Sequence, residues 1–134
     1  MRAPRVLVVG ESPSLGSSIS DLLGAGDVPH RLVVQLDSES PLETVRERYL
    51  VVVAASNGYY CSTGRRWLQG ELPGIALVVV GSRDPLLGHS PGVHRVALPL
   101  DPGLLLETIR GLLRGSDPAG GPPPRPGEAP AEPR

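Results

Sequence analysis

Five short apolar runs, rich in β-branched residues, recur along the chain and are separated by more polar segments. They are Arg5–Val9, Arg31–Leu36, Leu50–Ala54, Ile75–Val80 and Arg95–Leu98. Apolar and polar positions do not alternate within these runs. Alternation is instead typical of strands that expose one face to solvent. Short, continuous apolar runs are typical of strands buried on both faces of a parallel sheet. The pattern therefore predicts five buried, parallel strands.

The segments between these runs carry helix signals. In "SPSLGSSISDLL", Ser12 stands at the N-cap position and Pro13 at the first helical position, and both residue types favour a helix start there. The apolar residues that follow share one helical face: Leu15, Ile19, Leu22 and Leu23. The segment "SPLETVRERY" has the same helix start signal, with Ser40 as the N-cap, Pro41 next and Glu43 completing a capping box.

The last predicted helix has both a start and a stop signal. Asp101 and Pro102 begin it, and Gly115 is suited to end it. Its apolar positions also share one face: Leu105, Ile109, Leu112 and Leu113. Strands that alternate with helices predict a doubly wound α/β sandwich around a five-stranded parallel sheet. The third crossover has room for about two turns around Gly64–Gln69, and the fourth is rich in Gly and Pro, so we expect both crossover helices to be shortened.

Composition changes near Gly115. The segment 116–134, "SDPAGGPPPRPGEAPAEPR", is rich in Pro and Gly and has no large apolar residue. Such a segment cannot bury enough surface to offset the entropy of ordering it. We predict one domain over residues 1–115 and a disordered tail over 116–134. Its "PPRP" stretch fits a polyproline-groove ligand, and a plain solvated tail is the favoured interpretation.

Charge and cysteine content limit the classes of partner. The net charge is −1, which gives no electrostatic reason to expect nucleic acid or an anionic membrane as a partner. The single cysteine cannot form an internal disulfide, and the first residues do not fit a signal peptide or a membrane span. A cytoplasmic location is therefore expected. All 13 basic residues are arginine, which excludes chemistry that needs a lysine.

Two stretches resemble the receiver domain of bacterial two-component response regulators. "RVLVVGESPSLGSSISDLLGAG" is similar to the beginning of that family, and "VALPLDPGLLLETIRGLL" is similar to its end. The likeness extends over Arg5–Arg114. It implies a flavodoxin-like fold and a role in bacterial signal transduction.

The resemblance also implies where receiver chemistry would be found. Receivers hold Mg²⁺ with an acidic pair after strand one and accept a phosphoryl group on an aspartate that ends strand three. A hydroxyl that ends strand four and a lysine that ends strand five contact the phosphate. The matching positions are Gly10 and Glu11 for the acidic pair, Ala54 for the acceptor, Gly81 for the hydroxyl and Leu98 for the lysine.

Four of these five positions lack the expected functional group. An alanine has no nucleophile, and one carboxylate is a poor Mg²⁺ site because hard cations need several oxygen ligands. We therefore expect a degenerate pseudo-receiver that is not an enzyme, holds no metal or cofactor, and acts without phosphorylation.

Such a pseudo-receiver would dock to a protein partner or to a second copy of itself. Receivers commonly pair through helix four, strand five and helix five. Because helix four is short here, the expected surface is the last helix, Asp101–Arg114, or the region 59–67.

The stretch "YYCSTGRRW" combines residue types that are enriched at protein interfaces. The candidate interaction residues are Tyr59, Tyr60, Arg65, Arg66 and Trp67. In an alternative interpretation, Trp67 packs a short helix onto a core that is poor in aromatic residues. A catalytic role for Cys61 is a further alternative. No histidine adjoins Cys61 to lower its pKa, so a structural thiol is the favoured interpretation.

A small-ligand sensor is the alternative function. Ligands of doubly wound folds bind at the carboxyl edge of the sheet, and polar residues follow several of the predicted strands there. The candidate crevice residues are Glu11, Ser56, Ser82 and Arg83, with Asp84 beside them. The ligand would be a nucleotide or another anion. His30, His89 and His94 have no metal-ligand spacing.

Overall fold

The computed structural model describes residues 4–38, 41–88 and 90–115. Two sequence predictions fall outside the described residues, the capping role of Ser40 and the disordered tail over 116–134, and so does His89. No helix among the described residues is long and apolar enough to cross a membrane.

The five strands form one parallel sheet in the order β2-β1-β3-β4-β5, as expected of a flavodoxin-like α/β fold. The strands are β1 (Val6–Gly10), β2 (His30–Val33), β3 (Val51–Ala55), β4 (Ala76–Val80) and β5 (Val93–Val96). The predicted α/β class and the five-stranded parallel sheet are confirmed. In the register, Gly10 pairs with Ala55 and Ala55 with Val80. The three inner strands therefore end together, at one carboxyl edge.

The prediction that all five strands are buried on both faces is wrong for the two edge strands. β1 and β3 are fully buried, and β4 nearly so, whereas β2 and β5 are largely exposed until their last residue. The predicted ends of the edge strands are also displaced. β2 stops at Val33, and β5 begins at Val93 and stops at Val96 because its register follows β4, which ends at Val80. An edge strand has only one neighbour to define where it ends.

Helices cover both faces of the sheet. They are α1 (Pro13–Ala25), α2 (Leu42–Arg48), α3 (Ser62–Leu68), α4 (Pro85–Gly88) and α5 (Pro102–Gly115). One apolar cluster joins α1 and α5 to the sheet through Ile19, Leu23, Leu105 and Ile109. A second cluster joins the other three helices to the opposite face through Val45, Trp67 and Leu87. Alternate strand residues contribute to the two clusters, as the side-chain period of a strand requires.

The predicted helix starts are confirmed at two of the helices and are shifted at the third. α1 begins at Pro13, but Ser12 makes no capping hydrogen bond with its side chain, so that part of the prediction is wrong. α2 begins at Leu42, with Pro41 at the N-cap position and not inside the helix.

The start of α5 is as predicted in detail. The Asp101 carboxylate accepts a hydrogen bond from the backbone N–H of Leu104 at 3.1 Å. This bond satisfies one of the N–H groups that have no partner inside the helix. The helix then extends to Gly115.

Glycines allow α1 to lie unusually close to β1. A Cβ atom on Gly16 would lie 2.8 Å from the Cα atom of Gly10, which is too short for two carbon atoms. The missing side chain at Gly16 therefore sets the distance between helix and strand at the carboxyl edge.

Candidate functional site

The Glu11 carboxylate, just after β1, binds the first turn of α3. Its Oε1 atom accepts a hydrogen bond from the backbone N–H of Ser62 at 3.1 Å, and its Oε2 atom accepts one from Thr63 at 2.7 Å. These amides belong to the first turn of the helix, where N–H groups have no helical partner. The Glu11 carboxylate is thus a helix cap supplied from another element.

The Asp84 carboxylate is the second centre of this network. It is buried and accepts the backbone N–H of Cys61 at 2.9 Å and that of Leu86 at 3.1 Å. The Arg65 guanidinium pairs with it through two parallel bonds, Nε–Oδ2 at 2.7 Å and Nη2–Oδ1 at 3.0 Å. The hydrogen bonds from Arg65 lower the pKa of Asp84. The carboxylate is therefore ionised near neutral pH and connects the loop after β4 with the start of α3.

Cys61 is a structural thiol in this arrangement. The residue is 0 % exposed, and its Sγ atom accepts a hydrogen bond from the backbone N–H of Gly64 at 3.4 Å. Burial is the largest of the effects that raise the pKa of the thiol to about 12; the Gly64 hydrogen bond opposes it, and the nearby Glu11 and Asp84 carboxylates act in the same direction as burial. A nucleophilic cysteine needs a thiolate. The geometry therefore disfavours the catalytic alternative for Cys61.

Apart from Glu11, the positions that the resemblance matched to receiver chemistry carry only hydrogen or apolar side chains. Ala54 is fully buried in β3, and Gly10 is buried at the end of β1. Gly81 follows β4 with a φ of +82°, and a Cβ atom there would lie 2.9 Å from the carbonyl oxygen of Ser56. Leu98 is half-exposed and precedes Pro99 through a cis peptide bond. A side chain larger than hydrogen is thus disfavoured at Gly81 by conformation and by space.

The rings of two exposed tyrosines contact arginine guanidinium groups beside this network. Tyr59 and Tyr60 are 69 % and 61 % exposed. The Arg65 guanidinium carbon lies 4.3 Å from the ring centre of Tyr60, and the Arg83 carbon lies 5.5 Å from that of Tyr59. Arg83 also donates a hydrogen bond to the Tyr59 hydroxyl at 3.2 Å. We call these four residues the tyrosine–arginine surface.

Arg66 and Trp67, the other two predicted interaction residues, have different surroundings. Arg66 binds Glu71 at 2.9 Å and Asp37 at 3.4 Å. The Trp67 indole packs against the core, and its N–H donates to the carbonyl oxygen of Ile75 at 2.8 Å. The structure therefore brings together three of the five predicted interaction residues, Tyr59, Tyr60 and Arg65. Trp67 packs a short helix onto the core, as in the alternative interpretation.

The predicted ligand crevice is divided between two cavities. One of about 440 Å³, which we call the edge cavity, lies at the ends of β4 and β5. The residues that line it include Asn57, Gly81, Ser82, Arg83, Arg95 and Leu98. Glu11 lines a separate cavity of about 300 Å³ together with Ser62, Thr63 and Arg66. Ser56 is buried and lines neither of them.

Several site residues escaped sequence reasoning. Asp84 is only a neighbour of the predicted crevice, and Arg95 and Asn57 belong to none of the predicted sites. The useful signal was an arginine inside a short apolar run, because a charge within a predicted buried strand indicates an exposed edge. His30 lies elsewhere, with its ring nitrogens 2.7 Å from the Ser20 hydroxyl and 2.9 Å from the Val28 carbonyl oxygen. No cluster of metal-ligating side chains occurs in the part of the chain that the structure describes.

Comparisons with known proteins add no identity to this picture. No family model, no curated protein and no solved structure matches the chain. The functional argument therefore depends on the arrangement of the chain's own residues.

Proposed function

We propose that this chain is a phosphorylation-independent, receiver-like interaction module of bacterial signalling or regulation. In this proposal it has lost aspartyl phosphorylation, and its third and fourth crossover helices are shortened relative to a receiver. It acts by docking to another protein through the tyrosine–arginine surface. Regulation then follows from whether the surface is occupied, without a chemical modification.

The first support comes from the two carboxylates at the carboxyl edge. Both oxygens of Glu11 accept backbone N–H groups, and both oxygens of Asp84 are bonded to Arg65 and to the backbone. Charge-assisted hydrogen bonds of this kind are short and strong, and they occupy the carboxylate oxygens within the fold. Their lone pairs stabilise the fold and are therefore poorly available to a metal ion or a phosphoryl group.

The observation that carries the docking proposal is the exposure of Tyr59 and Tyr60 in a supported geometry. Large aromatic side chains that are more than half exposed lose apolar hydration when a partner covers them. Stacking on Arg65 and Arg83 limits the motion of the rings, and an ordered surface loses less entropy on binding. Tyr and Arg are also the residue types that most often dominate interface energies.

The same surface indicates the chemistry of the partner. Arg65 is neutralised by Asp84, whereas no carboxylate among the described residues forms an ion pair with Arg83. A partner segment that presents a carboxylate next to apolar groups would complement Arg83 and the two rings. The last helix, α5, is the competing surface, and its largest exposed apolar side chain is Leu104.

Capture of partners by the full chain, immobilised and exposed to an extract of its source organism, tests the docking proposal. Substitution of Tyr59 and Tyr60 by alanine is expected to lower retention of a specific partner at least about tenfold, the effect of losing an interface hot spot. Leu32→Ala, which removes an exposed side chain on β2, is the matched control and should leave retention unchanged. Loss of retention on Leu104→Ala alone would assign the surface to α5 and contradict the proposal.

Two further measurements separate the remaining possibilities. Sedimentation equilibrium of the wild type and the double tyrosine variant tests self-association. A dimer that persists in the variant would contradict docking of a second copy through this surface. Incubation with acetyl phosphate and Mg²⁺, followed by intact-mass measurement, should give no phosphoprotein, and a stable adduct would overturn the phosphorylation-independent interpretation.

A further inference from the structure

The fourth crossover leaves part of one sheet face open. α4 consists of only four residues, Pro85–Gly88, and cannot extend along β5. The edge cavity occupies this position, on the face of the sheet that Val79 helps to line. Its volume of about 440 Å³ lies within the range of sites that hold small molecules.

The lining of the edge cavity is positively charged. Arg83 and Arg95 both line it, and no acidic residue of the described chain does. Neither arginine forms an ion pair with a carboxylate among the described residues. Arg95 donates one hydrogen bond, from Nη2 to the carbonyl oxygen of Ser82 at 3.3 Å, which orients the guanidinium and leaves other N–H groups for a ligand.

A buried hydroxyl adds a further donor. Ser82 is 6 % exposed and lines the cavity. Its oxygen accepts the backbone N–H of Asp84 at 3.0 Å, so its proton remains for a second bond. Val79 and Ala97 contribute an apolar wall.

We infer that the edge cavity binds a small molecule that carries a phosphate or carboxylate group, with Arg95 and Arg83 as the anion-binding residues. Guanidinium groups match both oxyanions through paired, charge-assisted hydrogen bonds. Ser82 donates to the same group, and the apolar wall contacts the body of the ligand. This site gives a location and a ligand chemistry to the sensor function predicted from the sequence.

The cavity shares Gly81 and Leu98 with the positions matched to a receiver's phosphate contacts, but its anion-binding groups come from other positions, Arg83 and Arg95. Arg95 lies within β5, before Leu98, and the cavity exists because α4 is short. Arg95, the main anion-binding residue of this proposal, does not belong to the tyrosine–arginine surface. The anion-binding proposal can therefore be tested separately from the docking proposal. Failure of docking and failure of anion binding are therefore distinguishable through Arg95 variants.

Titration calorimetry of the full chain tests the inference, with inorganic phosphate, adenosine monophosphate and citrate as separate probes. Binding of at least one probe is expected, and comparison of the phosphate-bearing and carboxylate-bearing probes identifies the source of the anion. Arg95→Gln should weaken that binding at least about tenfold, as expected for the loss of a charge-assisted hydrogen bond. Arg48→Gln, which removes an exposed charge from the end of α2, controls for net charge and should change it little.

Amide chemical shifts locate the bound probe. The backbone signals of Gly81 and Ser82 should move on titration, while those of Ser62 and Thr63 at the neighbouring cavity should not. No binding of any probe at millimolar concentration would overturn the inference. So would equal weakening by Arg95→Gln and Arg48→Gln, which would indicate a nonspecific charge effect.

Discussion

Arg65 and Asp84 form a bidentate ion pair that joins α3 to the loop after β4. The two bonds are 2.7 and 3.0 Å long, and the Asp84 side chain is 0 % exposed whereas that of Arg65 is 29 % exposed. Asp84 also accepts two backbone N–H groups, so the pair belongs to a small buried network. Removing the carboxylate would leave the N–H of Cys61 buried without its partner.

Asp84→Asn is therefore expected to lower the free energy of unfolding at neutral pH by about 2 kcal/mol, the cost of weakening its two backbone hydrogen bonds. The hydrogen bonds from Arg65 lower the pKa of Asp84 in the folded state. This contribution is present above the unfolded-state pKa of about 4 and is lost as pH falls toward the lower folded-state value. Urea unfolding at pH 7 and pH 3 should show a smaller difference between wild type and variant at pH 3. Asp21→Asn on the exposed side of α1 is the control, and an equal difference at both pH values would contradict the prediction.

Glu11, which is remote from α3 in sequence but contacts its first turn, is expected to stabilise that helix. Glu11→Ala removes two acceptors from the N–H groups of Ser62 and Thr63, so unfolding should become easier by about 1–2 kcal/mol. Hydrogen exchange of those two amides should accelerate more than exchange of the amides within β3. Unchanged exchange at Ser62 and Thr63 would show that the carboxylate does not cap the helix in solution.

Cys61 should react slowly with alkylating reagents while the chain is folded. A pKa of about 12, against 9.0 for an ordinary thiol, lowers the thiolate fraction at neutral pH by about a thousandfold, and burial removes access as well. Iodoacetamide labelling followed by mass spectrometry should be slow in buffer and fast in urea. The raised pKa also predicts that stability falls as pH rises above about 9, where the unfolded thiol ionises first. Rapid labelling of the native chain would contradict both statements.

Gly16 should not tolerate a methyl group. Gly16→Ala places a carbon 2.8 Å from the Gly10 Cα atom, so α1 must move away from β1, at a cost of about 1–3 kcal/mol. Gly111→Ala is the matched control, because the nearest atom to its new methyl group is 3.9 Å away, on Arg114. Within α5 it should stabilise by about 0.5–1 kcal/mol through helix propensity. Thermal unfolding of both variants measures the contrast, and a stabilised Gly16→Ala would show that the close approach is absent.

Much of the fold could be predicted because its signals are local. Apolar runs located all five strands, and Asp101 with Pro102 located the start of α5 to the residue. Strand ends at the sheet edges could not be placed, since β5 takes its register from β4. The cap of α3 cannot be predicted for a similar reason. Its main acceptor is Glu11, which is far from α3 in sequence, so no local motif marks it.

The order of apolar and polar residues determined that this chain forms a doubly wound parallel sheet, because burial of apolar side chains depends on a period that can be read along the chain. The sequence also determined that the chain contains no lysine and that Ala54, which has no nucleophile, ends the third apolar run. Only the tertiary structure decided how the remaining charges are used. Glu11 and Asp84 are held within the fold, whereas Arg83 and Arg95 face an open cavity. Pairing of charges depends on distances between strands and loops that are remote in sequence, and the packing of the helices on the sheet sets those distances.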